Sequence, residues 1–205
     1  MRNKNRDINF GKVADKYDRA GAGMLEKFYR SLLEQVELSP GMSVLDVGCG
    51  TGTILRRMAD TCDINGFGID MSVNMIGEAK QKCPDLNIQI SRCEDTPFED
   101  NTFDVVTTCL AYHHFSDRAG FAKEVARIMK PGGCLYIADP YFPFVIRKTM
   151  NAIFHVFRVA GAFFTPDEIY EDFTVYGFEA NGFVKEKLAQ VVKLKLSDTH
   201  GGVSI

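Results

Sequence analysis

The chain has 205 residues, 45% of them apolar, and a formal net charge of −3, which is typical of one domain with a substantial core. The negative charge and the lack of a long basic run disfavour a nucleic-acid partner. The polar N-terminus lacks the apolar segment of a signal peptide, and no stretch approaches the ~18 uninterrupted apolar residues of a membrane span. We therefore expect a single cytoplasmic domain over residues 1–205.

Two short amphipathic helices are predicted before the first strand. Apolar residues at spacings of three and four indicate helices over 8–20 and 24–36. Two interpretations of the segment 8–38 remain open. It is either a pair of packing helices or a lid over the turn that follows, with Tyr17 facing the ligand.

The most informative stretch is an apolar run followed by three alternating glycines, Val44-Leu45-Asp46-Val47-Gly48-Cys49-Gly50-Thr51-Gly52. It predicts a strand, a tight turn and a helix, in which glycines let a ligand lie against the backbone. The spacing G-x-G-x-G differs from the dinucleotide fingerprint, G-x-G-x-x-G, because residue 53 is Thr. Asp46 would also repel a pyrophosphate. The stretch favours a ligand with a positive charge or donor groups, with an ordinary capped turn as the alternative.

The second predicted strand, 64–69, ends at another acid, Asp70. In βαβ ligand sites, an acid at this place accepts hydrogen bonds from the hydroxyls of a ribose. The alternative is a helix N-cap, but Ser72 is better placed to cap the helix predicted over 72–82. We therefore expect Asp70 to bind a ribose.

The rest of the chain continues the alternation of strands and helices. Further strands are predicted over 86–90, 103–109, 134–138, 178–184 and 188–196, and further helices over 117–129 and from Thr165 to about Gly177. This pattern predicts an α/β fold with a doubly wound, mostly parallel sheet. Ligands bind at the carboxyl ends of the strands of such sheets. Four separated features meet there: Asp46 with Gly48, Asp70, Cys93 with Glu94, and Cys109 to His114.

Residues 139–164 are rich in aromatic side chains and contain no acid after Asp139. The basic residues among them argue against a membrane span. Three interpretations remain open: a packing helix, an aromatic lid over a substrate pocket, and a face for a membrane surface or a second copy. On the second interpretation the residues that contact the substrate are Tyr141, Phe142, Phe154 and Phe157.

The six cysteines are scattered, without a C-x-x-C pair. This spacing disfavours a zinc cluster, and most of the cysteines have apolar or glycine neighbours, among which a thiol behaves as a small apolar group. We expect free thiols in a reducing compartment and no metal site.

Four motifs together resemble the class I S-adenosylmethionine-dependent methyltransferases, in particular the small-molecule branch that includes the ubiquinone and menaquinone biosynthesis enzymes. The motifs are Val44–Gly52, Gly68–Ser72, Glu94–Val106 and Arg127–Gly133. The resemblance covers roughly residues 8–185. It implies a Rossmann-like sheet of seven strands with the last strand antiparallel, and S-adenosyl-L-methionine as the cofactor.

The resemblance also implies roles for the residues at the strand ends. Asp46 and the glycine turn would hold the methionine part of the cofactor, and Asp70 would hold the ribose. Met71 and Cys93 would flank the adenine. The full cofactor-binding set is Tyr17, Asp46, Gly48, Cys49, Gly50, Thr51, Gly52, Asp70, Met71, Cys93, Glu94, Cys109, Leu110, Ala111 and His114.

One residue departs from the family pattern. The family commonly has an Asp before the position of Cys93, which accepts a hydrogen bond from the adenine amino group. Arg92 stands there in this chain and has no acceptor. Either Glu94 substitutes for the Asp, or packing and the backbone alone hold the adenine.

The expected reaction is methyl transfer to a small, apolar or aromatic acceptor. Such an enzyme mainly aligns the reactants and excludes water. His113, His114 and His155 are candidate bases, although packing or hydrogen-bonding roles are favoured for the adjacent pair. Two successive residues of a strand cannot place both rings on one side, which disfavours a metal site at the pair. The alternatives are a protein or nucleic-acid methyltransferase, a nicotinamide-dependent oxidoreductase and a non-catalytic cofactor-binding protein. The sequence does not predict the oligomeric state.

Overall fold

A computed structural model describes residues 22–157 and 161–198. The helix expected over 8–20, including Tyr17, lies outside the described residues. The second expected helix is present as α1, Ala22–Leu33. Its buried side chains Leu25, Phe28 and Leu32 pack against the sheet, so α1 is a packing helix.

The described residues contain seven strands that form one sheet. They are β1 Ser43–Val47, β2 Asn65–Asp70, β3 Asn87–Ile90, β4 Phe103–Cys109, β5 Met129–Pro140, β6 Phe178–Glu186 and β7 Ala189–Leu196. The strand order is β3-β2-β1-β4-β5-β7-β6. Strands β1 to β5 pair in parallel, and β7 is antiparallel to both of its neighbours. The expected mostly parallel sheet with an antiparallel last strand is confirmed.

Five α-helices follow α1, and a 3-10 helix, Tyr112–His114, follows β4. The α-helices are α2 Thr53–Thr61, α3 Val73–Lys82, α4 Arg118–Ile128, α5 Phe144–Phe157 and α6 Pro166–Thr174. The start of α6 is as predicted, because Thr165 and Glu168 cap it reciprocally. Within the described ranges, every helix is too short or too polar to cross a membrane.

Two hydrophobic clusters cover the two faces of the sheet. Successive residues of a strand enter different clusters, as Val44 and Leu45 of β1 do, because side chains alternate between the faces. One cluster contains Leu55 of α2 and the other contains Phe121 of α4. The sheet is therefore doubly wound, as expected.

The fifth strand differs from its prediction. We expected a strand over 134–138, but β5 begins at Met129 and includes Pro131-Gly132-Gly133. The register with β4 shifts between Phe103 and Val105. A Cβ on Gly133 would lie 2.9 Å from the Lys130 carbonyl oxygen. The Pro-Gly-Gly sequence therefore marks an irregularity within the strand, where the backbone approaches too closely for a side chain.

Candidate active site

The carboxyl ends of β1, β2 and β4 surround a cavity of about 740 Å³, within the range of ~300–1,000 Å³ that is typical of small-molecule sites. The chain runs outward from β1 to β3 and then returns to the other side of β1 with β4. The cavity lies where this order reverses, which is where doubly wound sheets bind ligands. The members of the expected cofactor set that line it are Asp46, Gly48, Cys49, Gly50, Thr51, Asp70, Met71, Cys93, Glu94, Cys109, Leu110, Ala111 and His114.

Two glycines of the turn after β1 are required for different reasons. Gly48 has a φ of +71°, and a Cβ there would lie 2.6 Å from the Cβ of Ala111, so the turn and the end of β4 touch. Gly50 has a φ of +53°, and a Cβ there would meet no atom within 4 Å. The cavity is therefore open beside the Gly50 backbone, which a ligand can approach closely.

Two carboxylates lie beside this turn. Asp46 is 2% exposed and accepts a hydrogen bond from Thr107 Oγ1 at 2.7 Å. Asp70 accepts from the backbone N–H groups of Gly50, at 3.0 Å, and Ser72, at 2.8 Å. Among the described residues, no cationic side chain forms an ion pair with either carboxylate.

The surroundings of these carboxylates raise the pKa of both. Burial raises the pKa of Asp46 to about 7, with a further contribution from the charge of Asp70 that opposes the Thr107 hydrogen bond. Burial also raises the pKa of Asp70. Because both ionised forms are disfavoured, the site suits a positively charged ligand, which would stabilise the two negative charges.

The opposite wall of the cavity contains Met71, Arg92, Cys93 and Glu94. Arg92 forms an ion pair with Oε1 of Glu94, and Cys93 Sγ lies 3.3 Å from Oε2. Burial alone would raise the pKa of Glu94, but hydrogen bonds from its own backbone N–H, Arg92 and Cys93 lower the pKa overall. Glu94 is therefore an ionised acceptor at the cavity wall. Its substitution for the family's Asp stays a prediction.

The end of β4 is strained where it meets the cavity. Leu110 has a φ of +55°, which for a residue other than Gly costs on the order of 1 kcal/mol. Its backbone N–H donates to the Ala138 carbonyl oxygen at 2.8 Å, and this hydrogen bond holds the unusual conformation. The bend leads the chain from the strand directly into the 3-10 helix.

The paired histidines lie in that 3-10 helix and not in a strand. The prediction that their rings lie on opposite sides of a strand was therefore wrong. The ring centres of His113 and His114 are 3.9 Å apart. His114 lines the cavity. His113 Nδ1 lies 2.8 Å from Oδ1 of Asp139, and the His113 backbone N–H donates to Oδ2 of the same carboxylate at 3.1 Å. Asp139 is 1% exposed.

Other predicted site residues do not line the cavity. Phe142 and Phe154 pack against Phe163, with ring centres 4.8 Å and 5.6 Å from it. Tyr141 follows β5, and Phe157 at the end of α5 is 73% exposed. Any contact of these four residues with a substrate stays a prediction.

Gly52, a member of the expected cofactor set, has a packing role in the structure. It precedes α2 with a φ of +75°. A Cβ there would lie 3.0 Å from Cys83 Sγ and 3.3 Å from the Cβ of Ala79. Gly52 therefore allows α2 to pack closely against α3.

Sequence reasoning missed several residues of the cavity wall, including Tyr29, Val73, Asn74, Phe115 and Ser116. Val73 and Asn74 follow Asp70 at the start of α3. Because they come directly after the end of a strand, their place at the cavity could have been predicted. Tyr29 had no such signal, because only the packing of α1 across the sheet brings it to the cavity.

Three of the six free thiols line the cavity: Cys49, Cys93 and Cys109. Burial raises the pKa of each. Within the described ranges, no group of three or more His, Cys, Asp or Glu side chains is arranged to hold a metal ion.

Comparisons with known proteins match this chain to methyltransferases. A family model described as a methyltransferase domain matches residues 45–137, which span β1 to β5. The chain is similar to a demethylmenaquinone methyltransferase of Symbiobacterium thermophilum, with 32% identity over 151 residues that cover 66% of this chain and 60% of that protein.

The match to the methyltransferase-domain model and the similarity to this relative support the assignment of the chain to the class I S-adenosylmethionine-dependent methyltransferases. Its fold is similar to that of an S-adenosylmethionine-dependent methyltransferase from Aquifex aeolicus, with a TM-score of 0.72 and 21% identity over 93% of this chain and all of that one.

Another relative of this chain has a different activity in its name. Phosphoethanolamine N-methyltransferase 3 of Arabidopsis thaliana is 35% identical over 115 residues, which cover 54% of this chain and 23% of that protein. The matches to the demethylmenaquinone methyltransferases span about half of the length of those proteins.

The residues of the methyltransferase cavity fit the family's cofactor. S-adenosylmethionine has a sulfonium and an ammonium group, and the cavity contains two carboxylates without a cationic partner among the described side chains. Asp46 would bind the ammonium group. Asp70 and the open backbone at Gly50 would hold the ribose and the methionine chain.

We predict that Asp70→Ala weakens the binding of S-adenosylhomocysteine by ~1–3 kcal/mol, because the ligand loses hydrogen bonds to a charged group. Isothermal titration calorimetry measures the affinity. Asp60→Ala is the matched control, because Asp60 is an exposed carboxylate that pairs with Arg56 away from the cavity. Unchanged affinity in a folded Asp70→Ala variant would contradict the ribose assignment.

Asp46→Asn should stabilise the ligand-free protein at high pH. A carboxyl with a pKa raised from 3.8 to about 7 on folding stabilises the fold only while it stays protonated, so the free energy of unfolding falls as the pH rises between these values. Asn does not ionise and can still accept from Thr107. We expect its melting temperature to exceed that of the wild type by roughly 5 °C at pH 8, with no gain at pH 4.

The same Asp46→Asn variant should bind S-adenosylhomocysteine roughly tenfold or more weakly, because the ligand's ammonium loses its charged partner. Thermal unfolding across the pH range and calorimetry at pH 8 measure the two effects. A variant that is less stable than the wild type at pH 8 would show that Asp46 has a structural role in place of a ligand-binding one.

Proposed function

We propose that this methyltransferase transfers the methyl group of S-adenosylmethionine to a small, apolar or aromatic acceptor. The observation that supports it best is the cavity, where two carboxylates with raised pKa values lie beside an open glycine turn. When bound there, the cofactor supplies a methyl group that is already activated by the sulfonium. The task of the chain is then to orient the acceptor and to exclude water.

Aromatic packing beside the histidines supports an aromatic or apolar acceptor. The Phe163 ring stacks on His113, with centres 5.5 Å apart and an interplanar angle of 28°. The backbone of the same segment is tied to the histidine, because the N–H of Ala162 donates to the His113 carbonyl oxygen at 2.8 Å. Phe142 and Phe154 extend this cluster outward. An apolar acceptor that enters from this side would exchange water for aromatic surface.

His114 is the proposed base. An acceptor that attacks through a hydroxyl or an amine must lose a proton, and His114 lines the cavity. His113 and Asp139 act as a positioning pair. The buried Asp139 carboxylate lies 2.8 Å from His113 Nδ1, which favours the tautomer with its proton on that nitrogen. The oriented His113 ring then packs against His114 and fixes its place.

The amine acceptor of the phosphoethanolamine N-methyltransferase relative is a second candidate, because that protein matches more than half of this chain. An assay with deuterated-methyl S-adenosylmethionine separates the candidates. It uses phenols and hydroquinones with apolar tails, phosphoethanolamine, bulk RNA and bulk protein, and mass spectrometry detects the labelled product. We expect label in the phenols or hydroquinones. Label in phosphoethanolamine alone would select the second candidate, and label only in RNA or protein would overturn both.

A second measurement tests the histidine assignment. We expect His114→Ala to lower kcat by ~10²-fold or more and to remove the loss of activity at low pH. The affinity for S-adenosylhomocysteine should fall much less than kcat, although His114 also lines the cavity. His155→Ala is the matched control, because His155 is exposed on α5. If His114 only packs, its variant will lose thermal stability but keep the pH profile of kcat.

A further inference from the structure

Helix α5 has an inverted distribution of polar and apolar residues. Its side toward the protein contains Arg147, which is 6% exposed and donates to both carboxylate oxygens of Glu168, at 2.8 Å and 2.6 Å. Asn151 is on the same side and exchanges two hydrogen bonds of 2.9 Å with the Phe163 backbone. Polar groups therefore fix this helix to the protein, whereas surface helices usually pack through an apolar face.

The outward side of α5 is apolar. Residues 145, 149, 152, 153 and 156 recur at the spacing of one helical face, and four of the five are Val, Ala or Ile. Six large apolar side chains of the helix are exposed. Their exposed fractions are 69% for Phe144, 72% for Val145, 50% for Ile146, 47% for Ile153, 73% for Val156 and 73% for Phe157. We call these six residues the α5 face. Six exposed large apolar side chains on one short helix mark a candidate interaction surface.

The segment around the α5 face is basic. The sequence from Tyr141 to Thr165 contains Arg147, Lys148 and Arg158 and no Asp or Glu, although the whole chain has a net charge of −3. Arg147 is buried and paired with Glu168, so the exposed cation in the described part of this segment is Lys148. Lys148 is exposed at the edge of the α5 face, with its Nζ 5.8 Å from the centre of the Phe144 ring. An apolar face with a basic edge is typical of helices that lie at the surface of a membrane.

The turn between β6 and β7 extends this surface. The Tyr141 backbone N–H donates to the Leu188 carbonyl oxygen at 2.7 Å, so the turn lies beside the residues that lead into α5. Leu188 is 53% exposed, and Lys185 Nζ lies 3.8 Å from the centre of the Tyr141 ring. Leu188 therefore adds a further exposed apolar side chain, and Lys185 of β6 adds a second cation, beside the residues that lead into α5.

We propose that the α5 face binds an anionic lipid surface. A membrane that contains anionic lipids offers both an apolar layer for the exposed Val, Ile and Phe side chains and negative headgroups for Lys148. A symmetric contact between two copies fits less well. It would apply the same face twice, and the segment has no acid that could pair with the Lys148 side chains at its edge.

The proposed contact is interfacial and not a span. Helix α5 has 14 residues, and a span needs about 20. Since Asn151 bonds to the Phe163 backbone and Phe163 stacks on His113, a bound α5 would hold the histidine side of the cavity next to the lipid. The inference does not depend on which acceptor the enzyme methylates.

Cosedimentation of the full chain with vesicles tests the proposal. The vesicles consist of phosphatidylcholine, with or without phosphatidylglycerol. We expect binding to the anionic vesicles, weakening at high salt, and at least a tenfold loss of partitioning in the double variant Val156→Asp with Phe157→Asp. Val175→Asp is the matched control, because Val175 is 77% exposed at the end of α6, outside the α5 face. It should bind as the wild type does.

S-adenosylhomocysteine affinity and melting temperature check that both variants are folded. Three results would overturn the proposal: no binding of the wild type to anionic vesicles, equal binding to both vesicle types, or unchanged binding of the double variant. A dimer in light scattering that the double variant abolishes, without vesicle binding, would assign the α5 face to a second copy.

Discussion

The properties of the cavity depend most on the free energy that it costs to ionise two neighbouring, buried carboxylates. Strands β1 and β2 pair so that Asp46 and Asp70 both come to the carboxyl edge of the sheet, and the glycine turn passes between them. Burial raises the pKa of both. In the ligand-free site the two negative charges are therefore unfavourable, and a cationic ligand would stabilise them. Binding and stability are coupled through the same two side chains.

The sheet could be predicted because short stretches of sequence determine where its strands and helices lie. The apolar run of β4 and the spacing of apolar residues in α2 and α3 each report on a few adjacent residues, and the glycine turn fixes how β1 leads into α2. Most of the residues expected to line the cavity could be inferred from these elements, because parallel strands bring their carboxyl ends together. Asp46 and Asp70 could thus be placed beside each other before any coordinates were known.

The parts that could not be predicted depend on contacts between distant residues. The positive φ of Leu110 turns the histidines out of the strand, and the rings then meet in a 3-10 helix. Tyr29 reaches the cavity only through the packing of α1. A packing helix was one of the interpretations of residues 139–164, but the orientation of α5 could not be predicted, because the partners of Arg147 and Asn151 lie 21 and 12 residues further along the chain.

The burial of the thiols around the cavity lowers their reactivity toward a bound methyl donor. A thiolate is a strong nucleophile, so beside a sulfonium it would itself become methylated. Burial raises the pKa of Cys49 and Cys109 well above the usual value of a thiol, and a protonated thiol is a poor nucleophile. The packing that shapes the cavity wall thereby also keeps these two thiols protonated, the form that reacts slowly with an electrophile such as a sulfonium.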